Sequence, residues 1–362
     1  MRSADIESAY ARAIDTILEK GPLDVVLHTG DVFHHSRPGW AAVVSFIAQT
    51  RRLEALSCPV IVIAGNHDTS QLRTSETVFS VLSLSLPAVT FATGFAESVI
   101  TLDDLGLVIT AVPHGALEDR EILPPELPAD YRSILMTHGL APTFAESPRH
   151  EIGETLLSAE LVGGTWDVVL LGHFHRADKV SENAWYAGAT ERIGWNDVET
   201  DPGWSIVTIA ADGTVDVERV PVAGRAMHQV VVRDPGDKTA RAIADEVLDL
   251  ARRTAPEGAM VRADLTGVDR AIRRSAEAML RRDAADSYFW IQTYARSEAS
   301  AEQDDDRRLD DHEPMQGLND LFAEFCAREI DDAPYRERLR ERGSAALTAA
   351  LALAESSAGA NE

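Results

Sequence analysis

The sequence predicts an α/β protein whose strands carry polar clusters at their ends, followed by a smaller βαβαβ unit. Three observations predict it. Five short, near-continuous apolar runs each close on a loop rich in His, Asp, Asn and Gly: LDVVLHTGD (23–31), SCPVIVIAGNHD (57–68), LVITAVPHG (107–115), SILMTHG (133–139) and WDVVLLGHFH (166–175). Runs of that kind form strands covered on both faces, and ligand and catalytic side chains gather at the carboxyl ends of such strands. Amphipathic stretches at helical spacing alternate with the strands, and beyond residue 226 the order becomes strand, helix, strand, helix, strand.

The elements follow in order. Ile6, Tyr10, Ile14, Ile17 and Leu18 keep helical spacing until Gly21-Pro22 stops the helix. After the five strands, WSIVTIAADGTVDVERVPV (204–222) reads as a hairpin turning at Asp212-Gly213. MHQVVVRDP (227–235), AMVRADLTG (259–267) and SYFWIQTYA (287–295) are strands. KTARAIADEVLDLARRTA (238–255), with Ile243, Val247, Leu248 and Leu250 on its apolar side, and VDRAIRRSAEAML (268–280) are the helices between them. These boundaries give a first domain over 1–225, a second over 226–300, an acidic linker at 301–314 and a C-terminal helical segment at 315–362. In that segment Leu318, Leu321, Phe322, Phe325 and Ile330, then Leu347, Leu351 and Leu353, sit near helical spacing.

Composition bounds the function. A length of 362 residues exceeds one typical domain, and 45% hydrophobic content supports an ordinary core. The apolar run VFSVLSLSLPAVTF (78–91) is too short to span a bilayer and is broken by Pro87, and MRSADIESAY has no apolar signal core. Cys58 and Cys326 are too few for a disulfide framework, so a cytoplasmic setting is expected. The net charge of −25, from 59 acids against 34 bases, repels nucleic acid in bulk. Bound divalent cations and a local basic groove can reverse that sign locally.

The strand-end clusters hold the chemistry. HTGDVFHHSRPG (28–39) offers Asp31, His34 and His35. GNHD (65–68) offers Asn66, His67 and Asp68. THG (137–139) offers His138, and GHFH (172–175) offers His173 and His175. Carboxylate, amide oxygen and imidazole without thiolate suit manganese, iron or zinc rather than calcium or a structural zinc site. A carboxylate with two oxygens can bridge two cations, which at a spacing of roughly 3.5–4 Å serve both the entering and the leaving oxygen of a phosphoryl transfer. Taken singly, each motif also reads as an ordinary turn or a loop histidine. Taken together, in this order and each at a strand end, they point to one site.

GDVFH, GNHD, THG and GHFH in this order resemble the calcineurin-like metallophosphoesterases. GDVFHHSRP followed by a helix is most similar to the SbcD-type DNA repair exonuclease branch, including its archaeal and eukaryotic double-strand-break repair relatives. YAGATERIGWND (186–197) resembles the turn and strand that follow GHxH there, and the βαβαβ unit stands where the DNA-capping domain stands. The resemblance covers roughly residues 1–300, strongly to about 205. It implies a four-layer α-β-β-α sandwich with a smaller βαβαβ cap domain and C-terminal helices. It also implies two divalent metal ions, of which manganese is the expected one. Asp31 would bridge them; Asn66, His138 and His173 would complete the second metal's shell, and His175 would bind the first. Water activated by the two metals would attack the phosphodiester. His67 would assist the leaving oxygen, Asp68 would orient His67, and His34 would lie at the active site. His35 reads as a solvated loop residue.

One feature of the family is missing. Its first strand ends in Asp-x-His and supplies two ligands to the first metal, whereas this sequence opens in the helix that would follow. No Asp-x-His precedes Asp31; Asp5 and Asp15 have Glu7 and Ile17 two places on. The second metal's set is complete, and the first keeps Asp31 and His175. A natural start upstream of Met1 is expected, since a missing central strand leaves backbone groups unpaired; a short form with a weakened first site is the alternative.

The resemblance further implies DNA as substrate, an SbcC-like ATPase docked on the C-terminal helices, and pairing as a homodimer. Those helices read equally as a pair packing on their own domain. A phosphodiesterase or phosphatase on a small phosphoester is the second hypothesis, favoured by the acidic charge. The cap separates the two, and it carries Arg252, Arg253, Arg262, Arg270, Arg273, Arg274, Arg281 and Arg282, which read either as a DNA-facing surface or as solvated helix faces. A one-metal pseudo-enzyme scaffold is the third.

Overall fold

The computed structural model describes residues 2–296, apart from 71–76, 118–121, 123, 129, 145–153 and 235, together with 336, 337 and 340. The expected linker at 301–314, and all but three residues of the segment 315–362, lie outside the described residues. Residues Met1–Glu298 form one compact unit and Ala299–Glu362 a second.

In chain order the elements of the first unit are α1 (Arg2–Lys20), β1 (Val26–His28), α2 (Trp40–Arg51), β2 (Val60–Ile63), α3 (Val78–Ser85), β3 (Val89–Ala92), β4 (Ser98–Leu102), β5 (Leu107–Val112), β6 (Arg132–His138), α4 (Ala159–Gly163), β7 (Val168–Gly172), β8 (Asp178–Lys179), β9 (Ala184–Tyr186), β10 (Gly203–Ile209), β11 (Val215–Pro221), β12 (Met227–Arg233), α5 (Ala240–Thr254), β13 (Met260–Thr266), α6 (Arg270–Asp283) and β14 (Trp290–Arg296).

The four layers expected from the sequence are present. Parallel strands β1-β2-β3 form one sheet, and β4-β5-β6-β7-β9-β8 form a second, parallel from β5 through β9 and antiparallel at both edges. The inner faces meet through Ile61, Ile63, Ile109, Ile134, Met136 and Val168. Outside the first sheet, α1, α2 and α3 seal a core of Ile14, Ile17, Val43, Phe46, Phe79 and Leu82. Outside the second, α4 and neighbouring loops cover Leu135, Val169, Leu171 and Tyr186. The expected apolar runs explain this, because a strand buried on both faces loses polar alternation: β2 and β5 are buried at every residue. Each large aliphatic residue placed there contributes roughly 1.5–3 kcal/mol of apolar transfer.

The hairpin β10-β11 forms as expected, with Gly213 in the left-handed region at its turn. The βαβαβ segment also forms, as the parallel sheet β12-β13-β14 with α5 and α6 on one face, around its own core of Ile243, Val247, Leu248, Val261, Leu265 and Leu280. Thr239 and Asp269 cap the two helices by accepting from backbone N–H groups of the first turn. None of the described helices is long and apolar enough to cross a membrane.

Among the described residues, no strand pairs with the outer side of β1, and β10 pairs with β11 alone. All three residues of β1 are partly exposed, unlike those of β2. Leu27, Val207 and Ile209 border the same inter-sheet core from these two open edges.

Candidate metal centre

Parallel pairing of β1 with β2, and of β6 with β7, delivers four loops to one end of the sandwich. Asp31 follows β1, Asn66 follows β2, His138 is the last residue of β6, and His173 directly follows β7. Their polar atoms converge. Asp31 Oδ2 lies 3.2 Å from His138 Nε2. Asn66 Oδ1 lies 3.0 Å from the same nitrogen and 3.2 Å from His173 Nδ1. Ligand atoms of Asp31, His138 and His173 all fall within 4.8 Å of one another.

The backbone is shaped for this convergence. Asp31 (φ 53°) and His173 (φ 98°) occupy the left-handed region that non-glycine residues seldom adopt, a strain typical of functional sites. The glycine before His173 is required by close approach, since a Cβ on Gly172 would collide with the Thr29 carbonyl and stand 2.6 Å from His138 Nδ1. Gly65, before Asn66, is likewise pressed against Asp31.

Each of the three candidate histidines has a ring nitrogen held by a partner. His138 Nδ1 lies 2.8 Å from the Thr29 carbonyl, His173 Nε2 lies 2.6 Å from Glu154 Oε1, and His175 Nδ1 lies 3.0 Å from both Asp197 oxygens. Partners of this kind fix tautomer and ring orientation at metal sites. Glu154 and Asp197 were not singled out in the sequence, and both are largely buried. Asp197 lies within the quoted stretch YAGATERIGWND; nothing in the local pattern marks Glu154. His114, two residues past the end of β5, adds a further imidazole, 6.3 Å from His138 ring to ring.

The electrostatics follow from burial and neighbours. Burial pushes the Asp31 carboxyl up, but the charge and hydrogen bond of His138 and the His67 N–H hold it well below the usual carboxylate range. Burial lowers His138, and the Asp31 carboxylate overrides it and raises the imidazole. Burial, and then the charge of His138, lower His173. Asp68 is pushed up to about 7 by burial and by the Asp31 charge, against three backbone donors.

The remaining expected residues are placed as follows. His67 Nδ1 lies 3.2 Å from the His34 carbonyl, and its ring stacks on that of His34 at 5.1 Å. His34 and His35 are exposed, with rings 4.4 Å apart. Asp68 departs from its expected task of orienting the His67 ring. Its oxygens accept from Val32 N (2.7 Å), Phe33 N (2.8 Å) and Gly65 N (3.3 Å), so it ties the GDVFH loop to the GNHD turn. The reason is burial: a carboxylate enclosed at that depth takes the backbone donors that surround it. His175 stands outside the group formed by Asp31, His138 and His173.

One carboxylate, one amide oxygen and two imidazoles aimed at a common point, with the far ring nitrogens already engaged, fit a divalent cation. The profile of the calcineurin-like phosphoesterase family matches residues 5–177. The chain is 28% identical to the DNA double-strand break repair protein Mre11 of Haloferax volcanii, over 96% of this chain and 71% of that protein. It is 28% identical to the protein of the same name from Halobacterium salinarum, over 60% of this chain and 53% of that one. The identity to the Thermoplasma acidophilum protein of that name is 25%, over 69% and 67%.

Proposed function

We propose that this chain, whose residues 5–177 match the calcineurin-like phosphoesterase profile, is a metal-dependent hydrolase of that class and a DNA exo/endonuclease subunit acting in double-strand-break repair. The observation that carries the reading is the convergence of Asp31, Asn66, His138 and His173 beside His67. The relatives that match along most of this chain bear the name of a double-strand break repair protein, which supports DNA as substrate.

Asp31, Asn66, His138 and His173 would hold one cation, and Asp31 with His175 a second; the mixed oxygen and imidazole donors favour manganese. When bound, divalent cations supply Lewis-acid charge to the phosphoryl oxygens and a nucleophile at neutral pH. His67 serves the leaving oxygen. The His34 carbonyl at its Nδ1 makes that nitrogen the donor and leaves Nε2 as the atom that would face the departing oxygen. His34 backs His67 through that carbonyl and the ring stack. Asp68 fixes the loop that carries Asp31, and so sets where the carboxylate points.

Residues 1–225 would be the nuclease domain and 226–300 its cap. The segment 315–362 would dock an SbcC-like ATPase; deletion of 301–362 should abolish capture of that partner, and retained capture would remove the assignment. A setting in the cytoplasm and pairing as a homodimer complete the reading.

A small phosphoester substrate is the second reading, favoured by the net charge of −25. The cap's helix arginines give DNA little support, because Arg252, Arg281 and Arg282 pair with Asp249, Glu277 and Asp283. The deciding assay is manganese-dependent release of nucleotides from linear duplex DNA, with His67→Ala as control. Release that the substitution abolishes supports the nuclease. Hydrolysis of bis(p-nitrophenyl) phosphate without release from DNA would support the small substrate.

A further inference from the structure

The sheet β12-β13-β14 buries one face under helices, and on the other face it exposes residues of its two edge strands while Asp264 and Thr266 of the central strand are buried. α5 and α6 cover Val230, Val232, Val261, Ala263, Leu265 and Ile291. Alternation puts every second residue on the opposite face, and the parallel register aligns these in rows: Met260 with Trp290, Gln229 with Arg262 and Gln292, Val231 with Asp264 and Tyr294. On this face Trp290 is 43%, Val231 44% and Tyr294 56% exposed. An exposed cluster of large apolar side chains marks a contact surface more often than a scattered one does.

Arginine is interleaved with the rings. The guanidinium of Arg262 stands 5.3 Å from the ring centres of both Tyr294 and Trp195, and that of Arg281 stands 4.8 Å from Trp290 at the sheet's edge. Trp195 comes from outside the sheet. It opens the short turn Trp195–Asp197, whose Asp197 holds His175. A chain of ring, guanidinium and ring therefore runs from this sheet face to the loop behind the candidate metal centre. The acid on this face, Asp264, is buried and paired with Arg262 at 2.8 Å, so it puts little bare negative charge on the surface.

We propose that this face binds unpaired nucleotides of a nucleic-acid strand, their bases stacking on Tyr294 and Trp290 and their phosphates facing Arg233 and Arg296. The proposal rests on the DNA reading above. Exposed aromatics on a small sheet, alternating with guanidinium groups, suit bases of any sequence because every base has a π-face. Rings standing off a flat sheet reach bases only where those are unstacked from a duplex. A protein partner fits less well, because the apolar groups flank a central arginine–aspartate pair rather than forming a continuous patch.

The test is fluorescence anisotropy on the full chain in manganese. The probes are a fluorescein-labelled oligothymidylate, an abasic strand of equal length and a blunt duplex, all with phosphorothioate backbones to suppress cleavage. The oligothymidylate should bind at least about tenfold more tightly than the abasic strand. Tyr294→Ala and Trp290→Ala should each remove about tenfold of that preference, and Phe at either position should retain it. Equal binding of the two strands by the wild type, while the duplex is still cleaved in the assay above, overturns the stacking face and leaves the nuclease reading standing. Alanine variants that keep the full base preference also overturn it. A wild type that neither binds nor cleaves nucleic acid removes both.

Discussion

The two halves of the candidate metal centre differ sharply. On one side of Asp31, donors from four loops meet within hydrogen-bonding distance, and both histidines have their far nitrogens engaged. On the other side His175 is braced by Asp197 but stands outside the cluster. The full half is built by loops that follow β1, β2, β6 and β7, all of them paired in the sandwich. Of the expected donors the sparse half keeps Asp31 and His175, and among the described residues no strand pairs with the outer side of β1.

The largest expected effect is at the full half. His138→Ala removes a nitrogen shared by Asp31 and Asn66, so hydrolysis of a phosphodiester should fall to background, read by product release alongside circular dichroism to verify the fold. His67→Ala should lower kcat by about 10²–10⁴-fold while manganese affinity stays near that of the wild type. A matching loss of metal affinity would show that His67 belongs to the shell instead.

Braces come next. Glu154→Gln keeps the shape but weakens the hold on His173, and should cost about 10–100-fold in manganese affinity at the tight site. Asp197→Asn should leave the tight site alone and weaken only a second binding event. Equal effects from the two substitutions, seen by calorimetric titration, would erase the distinction between the halves.

The smallest effect lies away from the centre, where Asp5 on α1 takes Arg225 in a two-pronged contact at 2.6 Å. The hydrogen bond from Arg225, against some burial, lowers the Asp5 carboxyl below its ordinary value of 3.8. Its folded-state pKa is depressed, so its contribution is present above that ordinary value and lost as pH falls through the folded value. Asp5→Asn should cost about 1 kcal/mol near pH 7. In urea unfolding, that difference should disappear in strong acid; a difference that grows on acidification would reverse the sign assigned here.

The sequence made the strand-end donors legible because glycine-flanked His, Asp and Asn follow apolar runs, a local pattern with a local cause. The hairpin at Asp212-Gly213 and the amphipathic α5 were legible for the same reason. β3 and β4 were not, since Val89–Ala92 and Ser98–Leu102 are short and alternate exposed with partly buried residues, so they form no apolar run of the kind that marks the other strands. Glu154, Asp197 and the true partners of Asp68 were hidden for another reason. A carboxylate's task is set by what the fold brings to it, and no periodicity encodes a contact made 19, 22 or 36 residues away. The ladder of Trp195, Arg262 and Tyr294 joins three separate segments and was equally invisible; the sequence showed only that the cap is rich in arginine.

The most direct test is a manganese titration of the wild type, His138→Ala and His175→Ala, followed by the loss of the free-ion electron paramagnetic resonance signal. The wild type should show a tight site that His138→Ala removes and His175→Ala leaves intact. A tight site that survives His138→Ala, or that His175→Ala removes equally, would contradict the assignment of Asp31, Asn66, His138 and His173 as the shell that holds the metal.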